Sequence, residues 1–169
     1  YVNDAAEYDY EIKGEPVRKI TLREALTLEE WDVITYQQAS HDSGIYDKYQ
    51  PFLCDLHKVV KEACPNAKFY IHETWAYEID SPHGSFVLYN HDQKYMYECL
   101  SNAYDKAAES IGVDIIPAGD VIQYLRDNTK EFDYKKVFVS GKELTNFSSN
   151  IIGPWDFLSR ALQYTKHEK

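Results

Sequence analysis

The chain has 169 residues, 44% of them hydrophobic and 27% charged, which is enough for one domain with a sizeable core. Its net charge of −10 disfavours binding to nucleic acid or to anionic membranes, because both are held mainly by Lys and Arg. No apolar run approaches the roughly 20 residues that span a bilayer, and no signal peptide follows Tyr1. Because the sequence does not begin with Met, we expect a processed N-terminus or a fragment.

The N-terminal part of the chain predicts a surface arm, a short helix and a buried strand. Residues Tyr1 to Ile20 are polar and rich in Tyr without a clear period, so we interpret them as a surface arm. The run Thr21 to Glu24 is a capping box and predicts a short helix to about Leu26. The run Trp31 to Tyr36 is β-branched and aromatic without alternation, which is typical of a strand buried on both faces of a parallel sheet.

Helices and strands alternate from there to about residue 127. Apolar spacing near 3.6 residues predicts the helices, and short β-rich runs predict the strands. In chain order they are a helix from Tyr49 to about Ala63, a strand Lys68–His72, a helix Gln93–Ile111, a strand Val113–Ile116 and a helix Gly119–Leu125. This order is the βαβ pattern of a parallel, layered α/β fold.

The C-terminal segment, residues 128–169, departs from this pattern. Within it, Lys136–Ser140 predicts a strand, and Trp155–Tyr164 has helical spacing. The chain has no internal repeat and no linker rich in Pro, Gly or Ser. We therefore predict one α/β domain over residues 1–169, with the surface arm at its start and a divergent segment at its end.

Two loops at the predicted carboxyl edge of the sheet carry most of the polar groups. One runs from Gln37 to Gly44, after the first predicted parallel strand, and the other from His72 to Tyr77, after the second. Ligands of open parallel sheets bind outside the carboxyl ends of the strands. We therefore expect side chains from the two loops to converge on a shared cleft.

Several short motifs recur in an order that resembles a known family. Together they cover about Asp4 to Arg126 and resemble an uncharacterised bacterial domain family of the SGNH/GDSL hydrolase superfamily. The motifs are Asp4-Ala5-Ala6-x-Tyr8, Thr21-Leu22-x-x-Ala25-Leu26, Trp31-Asp32-x-Ile34-Thr35, Gln37-Gln38-x-Ser40-x-x-Ser43-Gly44, Tyr49-x-Pro51, Thr74-Trp75-Ala76-Tyr77, Asp92-Gln93-x-x-Met96-Tyr97 and Ile116-Pro117-x-Gly119.

The resemblance implies a three-layer, flavodoxin-like parallel sheet and the hydrolysis of an ester, often an acyl group on a carbohydrate. It also implies a Ser nucleophile in a Gly-Asp/Asn-Ser segment after the first strand, and an Asp-x-x-His near the C-terminus. The strand and its Ser would precede Tyr1, so the sheet is expected to lack its first strand here. The closing block has no match either, because Leu144-Thr145 is followed by Asn146 and His167 has no Asp three residues before it. No catalytic Ser or His can be assigned.

The remaining candidate residues lie in the two loops. By the resemblance, Ala39-Ser40-His41-Asp42 stands in the place of the superfamily's Gly-x-Asn-Asp block, with Ala instead of Gly and His instead of Asn. We expect Gln38, Ser40 and His41 to line the cleft, and which of them donates to an oxyanion stays open. Such donors act on the charge that develops in the transition state. Substrate-binding candidates in the second loop are His72, Glu73, Trp75 and Tyr77.

Three functions stay open at this stage. The first is an SGNH-like esterase domain, incomplete or divergent, acting on a small-molecule or carbohydrate ester. The second is a catalytically silent carbohydrate-binding domain that uses Trp75, Tyr77 and neighbouring Tyr faces. The third is a metal-dependent hydrolase with ligands among His41, Asp42, His72, Glu73, His83 and His91. Because these six residues have no fixed ligand spacing, we assign no metal ligand and predict no cofactor. The resemblance favours a secreted or periplasmic location, and the oligomeric state is left open.

Overall fold

The computed structural model describes residues 5–6, 8–11, 14 and 16–128, together with the backbone of 136–139 and 142–145. Strands and helices follow one another much as the sequence predicts. In chain order they are β1 Tyr8–Tyr10, β2 Arg18–Ile20, α1 Leu22–Thr27, β3 Val33–Tyr36, α2 Phe52–Ala63, β4 Lys68–His72, α3 Gln93–Ile111, β5 Asp114–Ile116, α4 Ala118–Asn128, β6 Lys136–Val139 and β7 Lys142–Thr145.

A parallel sheet of β3, β4 and β5, in that order, positions the loops of interest. Its register pairs Tyr36 with Ile71 and His72 with Ile116, so the three strands end at nearly the same level. The fold is therefore the parallel α/β architecture predicted from the alternating pattern. The loops that follow β3 and β4 leave the sheet from the same edge.

Helix α3 carries the centre of the core. Asp92 caps its start by accepting from the N–H of Tyr95 at 3.0 Å, and Gly112 ends it in the left-handed region with φ of 68°. Of the apolar stripe that the spacing predicts, Met96, Leu100, Ala103 and Ala107 are buried, whereas Cys99 and Ile111 are half-buried. Tyr104, which the stripe did not include, is also fully buried. No described helix is long and apolar enough to cross a membrane.

The capping box at the start of α1 has the predicted geometry. The N–H of Glu24 donates to the Thr21 hydroxyl at 3.0 Å, and the N–H of Thr21 donates to the Glu24 carboxylate at 2.8 Å. These reciprocal bonds satisfy two donors at the helix start that have no partner within the helix. The prediction of a short helix here is confirmed.

Strand β3 corrects one expectation. It was predicted to be buried on both faces, yet Val33 is 49% exposed and Trp31, just before the strand, is 40% exposed. The physical reason is that β3 lies at the edge of the sheet formed by the described residues, so one side of it has no neighbouring strand. Phe52, placed by its spacing on the apolar stripe of α2, is likewise 65% exposed beside this edge.

Two further pairs of strands among the described residues are antiparallel. In the predicted surface arm, β1 pairs antiparallel with β2, from Tyr8 opposite Ile20 to Tyr10 opposite Arg18. The predicted strand at Lys136–Ser140 is confirmed as β6, which pairs antiparallel with β7. The helical prediction for residues 155–164 lies outside the described residues.

Candidate functional site

The loop after β3 folds into a tight turn that presents Ser40 and His41. The N–H of Asp42 donates to the carbonyl of Ala39 at 2.9 Å, and the Ser43 hydroxyl donates to the carbonyl of Ser40 at 2.8 Å. Ser43 is fully buried, whereas the His41 side chain is 46% exposed. The loop therefore has a buried base and an accessible outer surface at His41.

The three candidate oxyanion residues differ in their exposure and in the hydrogen bonds that they already make. The Gln38 amide is already engaged, because its Nε2 donates to the carbonyl of Lys48 at 3.2 Å and its Oε1 accepts from the N–H of Ala39 at 2.8 Å. Ser40 is half-buried, and His41 lies 3.6 Å from the Asp42 carboxylate. Ser40 and His41 are thus the more accessible of the three predicted residues.

The segment after β4 is buried although it has no regular secondary structure. His72, Glu73, Thr74 and Tyr77 are each less than one tenth exposed, and Trp75 is half-buried. Side chains of α3 and α4 satisfy its backbone: Arg126 donates to the carbonyl of Ala76 at 3.0 Å, and Gln93 donates to that of Tyr77 at 2.9 Å. The segment is therefore a buried, hydrogen-bonded layer beneath the carboxyl edge of the sheet, and we call it the floor.

Two contacts bring the loops together. His72 Nδ1 lies 3.0 Å from Oε1 of Gln37, so this nitrogen donates to the amide oxygen when it carries the proton. The buried Tyr104 hydroxyl donates to Thr74 Oγ1 at 3.1 Å and also hydrogen-bonds the backbone of Gln38. The polar groups that follow the two neighbouring strands therefore meet at one edge. Sequence reasoning included Gln37 in the loop but did not single it out, although its place directly after β3 was the available signal.

Burial dominates the electrostatics of the second segment. It lowers the pKa of His72 and raises the pKa of Glu73 to about 7. A hydrogen bond from the N–H of Asp120 to the Glu73 carboxylate, 2.9 Å long, opposes part of that rise. Glu73 thereby caps the first turn of α4, and a neutral His72 is favoured at the edge of the sheet.

Gly119 lets α4 approach this segment closely. A Cβ at residue 119 would lie 2.2 Å from the carbonyl oxygen of Thr74 and 2.9 Å from the Glu73 carboxyl carbon. No side chain fits there without moving the backbone. The approach fixes Glu73 under the helix start, where the carboxylate can accept from backbone N–H groups.

A groove of about 450 Å³ is lined by the end of β3, the start of the first loop and the first half of α2. Its lining is largely apolar, with polar groups at the end where the strand stops. The lining residues are Thr35, Tyr36, Gln37, Gln38, Lys48, Tyr49, Phe52, Leu53, Leu56, Ile71 and Tyr104. Gln37, Gln38 and Tyr104, which take part in the contacts between the two loops, are among its lining residues.

One ring of the aromatic platform considered from the sequence is covered, and the metal ligands considered there are not grouped. The Tyr77 ring is 9% exposed and packs 4.7 Å from the His83 ring and 5.6 Å from the Phe86 ring, so its faces are covered. Within residues 16–128 and the few described before them, no three His, Cys, Asp or Glu side chains are grouped to hold a metal ion.

Comparison with models of protein families identifies the family of the chain. Residues 3–148 match the model of a family described as a domain of unknown function, DUF4886. The chain belongs to this family. No curated protein matches it. The resemblance inferred from the ordered motifs is therefore confirmed, and the two loops described above are those of a DUF4886 domain.

Two solved structures are similar to this DUF4886 chain. A DUF4886 family protein from Bacteroides uniformis ATCC 8492 is 38% identical, with a TM-score of 0.67 over 74% of this chain and 51% of that one. The chain thus spans about half the length of that relative. A protein from Slackia heliotrinireducens, described as a proposed SGNH hydrolase, is 18% identical, with a TM-score of 0.54 over 87% of this chain and 71% of that one. At this identity the second likeness shows a shared SGNH-like fold.

Proposed function

We propose that this DUF4886 chain is the part of an SGNH-like hydrolase that supplies the oxyanion loop and the floor of the cleft for ester hydrolysis. The observation that carries the proposal is the Gln37–His72 contact of 3.0 Å, which joins the loops after β3 and β4 beside the groove. Ligands of parallel sheets bind at this edge. The fold shared with the Slackia protein supports the same lineage.

In this proposal the turn at Ser40 and His41 meets the developing negative charge. Backbone N–H groups and the Ser40 and His41 side chains are donors of the kind that stabilise an oxyanion. A turn already closed by hydrogen bonds needs little rearrangement when the charge appears. The buried floor under it, with a neutral His72, keeps water away from that side of the cleft.

The Ser nucleophile that the resemblance implies would lie on a further strand beside β3. Among the described residues β3 has a neighbouring strand on one side only, and its last residues line the groove together with Gln37 and Gln38. A further parallel strand beside β3 would end next to the Ser40 turn, because parallel neighbours end at the same edge. We propose that the Ser nucleophile reaches the site on such a strand of the longer protein.

The substrate proposed here is an uncharged acyl ester, carried on a carbohydrate or another small molecule. The largely apolar groove suits an acyl group, and a chain with a net charge of −10 repels anionic substrates. The buried ring of Tyr77 offers no stacking face, so a catalytically silent sugar-binding role has less support from the geometry.

The test is an esterase assay of the full-length gene product with p-nitrophenyl acetate and an acetylated oligosaccharide. We expect turnover, and a fall in kcat of about tenfold or more for at least one of Ser40→Ala and His41→Ala, because a side chain of the turn donates to the oxyanion. Glu62→Ala, at an exposed side chain of α2 outside the turn, is the control and should keep wild-type activity. Absence of turnover from mildly acidic to mildly basic pH would contradict the proposal, and sugar binding without turnover would favour the silent alternative.

A further inference from the structure

A single buried hydroxyl closes the turn that presents Ser40 and His41. Tyr89, which is 1% exposed, donates from its hydroxyl to the carbonyl of His41 at 2.9 Å and accepts from the N–H of Gly44 at 3.0 Å. One side chain from a distant part of the chain thus bonds both arms of the turn. Two bonds to one oxygen fix the separation of the arms.

The ring of Tyr89 explains why residue 44 is glycine. A Cβ at this position would lie 2.6 Å from Tyr89 Cε1 and 2.9 Å from the Cβ of Cys99. The ring therefore occupies the space that a side chain at residue 44 would need. This is a close approach of the turn to a rigid aromatic surface, and it holds the turn against α3.

Tyr89 is itself held firmly. It ends the 3₁₀ helix Gly84–Tyr89, and its carbonyl accepts from the N–H of Asp92 at 2.9 Å. The two residues that follow, Asn90 and His91, have φ of 56° and 53°, a left-handed conformation that non-glycine residues seldom adopt twice in succession. The hydroxyl is therefore presented from the hydrogen-bonded end of a 3₁₀ helix.

We infer that Tyr89 is the positioning residue of the Ser40–His41 turn: its hydroxyl sets the spacing of the donors that act on the substrate. The inference rests on the proposed ester hydrolysis for its catalytic consequence, and on the hydrogen bonds alone for its structural part. Tyr89 has no access to the substrate because it is buried, so it acts only through the turn. Tyr49, which donates to the carbonyl of Ser43 at 2.7 Å, supports the turn base from the other side.

The experiment compares Tyr89→Phe with Tyr97→Phe. Each substitution removes one hydroxyl, but the Tyr97 hydroxyl donates to Asp120 at 2.9 Å, outside the turn. In the chain, Tyr89→Phe should accelerate hydrogen exchange of the Gly44 N–H about tenfold or more, and Tyr97→Phe should leave it unchanged. Gly44→Ala, which drives the turn against the ring, should accelerate the same exchange.

The full-length protein supplies the second measurement. Tyr89→Phe should lower kcat for the ester about tenfold and leave KM within about twofold, because the turn acts on the transition state. A variant that merely weakens the fold would lose active protein, so kcat is referred to the folded fraction measured by circular dichroism. A fall in kcat that disappears after this normalisation would overturn the positioning role. Unchanged exchange at Gly44 would overturn the structural part. Faster exchange at Gly44 with an unchanged kcat would overturn the positioning role and leave the proposed ester hydrolysis standing. An inactive wild-type protein would instead contradict the proposed ester hydrolysis. In that case the exchange rate at Gly44 still decides the structural part.

Discussion

Glu73 should make the stability of the fold depend on pH, and Glu73→Gln should remove that dependence. The carboxyl is 2% exposed, and burial raises its pKa from 4.5 to about 7, with Asp120 and Asp105 adding repulsion. Because the folded pKa lies above the unfolded one, the protonated form is favoured by folding. Its contribution is complete below about pH 4.5 and is lost as the pH rises through about 7. The shift corresponds to at most about 3 kcal/mol.

The assay is urea unfolding, followed by circular dichroism, at about pH 5 and about pH 8. Gln keeps the shape of Glu73 and can still accept from the N–H of Asp120, but it cannot ionise. Relative to wild type, the variant should therefore gain about 2–3 kcal/mol of unfolding free energy between the two pH values. Glu62→Gln, at an exposed carboxyl of α2, is the control and should follow wild type. Equal pH slopes for wild type and Glu73→Gln would refute the assignment of the raised pKa to this carboxyl.

Two further predictions concern the contact of α4 with the buried segment. Gly119→Ala should lower the free energy of unfolding by about 2 kcal/mol or more, because its Cβ would lie 2.2 Å from the Thr74 carbonyl oxygen. Gly84→Ala, where a Cβ meets nothing within 4 Å, should change it by less than about 0.5 kcal/mol in the same denaturant titration. Arg126→Met should cost about 2 kcal/mol, because it leaves the half-buried Glu78 carboxylate without its cation and the Ala76 carbonyl without its donor. A loss below about 1 kcal/mol, measured by calorimetry, would speak against that ion pair.

Local patterns were enough to predict the frame that carries the site. The spacing of Met96, Leu100 and Ala103 identified α3, and the Thr21 capping box located α1, because both features depend on neighbours a few residues away. The alternation of strands and helices then required parallel pairing. Convergence of the loops after β3 and β4 follows directly from that pairing.

The burial of the second loop could not be predicted in the same way. Its residues, from His72 to Tyr77, are polar and aromatic, a composition typical of an exposed loop. They are buried because Arg126 on α4, together with Gln93 and Tyr104 on α3, satisfies their polar groups. The donors come from residues 16 to 50 positions away in the sequence. A short-range sequence pattern cannot predict contacts over such separations.

The exposure of β3 and the role of Tyr89 were missed for related reasons. The run at Val33 has the composition of a central strand, but composition does not reveal whether a neighbouring strand is present on each side. Tyr89 follows Phe86, Val87 and Leu88, so it resembles one more apolar residue in a short run. Its hydroxyl contacts a turn 48 residues earlier, which only the folded chain brings near.

The claim on which the functional account depends is that the loops after β3 and β4 form one substrate site. A crystal structure of the full-length protein with a phosphonate ester, which mimics the tetrahedral intermediate, tests it most directly. The account predicts the phosphonyl oxygen about 3 Å from donors of the Ser40–His41 turn, with the acyl group in the groove beside β3. A phosphonate bound on another face, with this turn and the Gln37–His72 contact unoccupied by ligand, would contradict it.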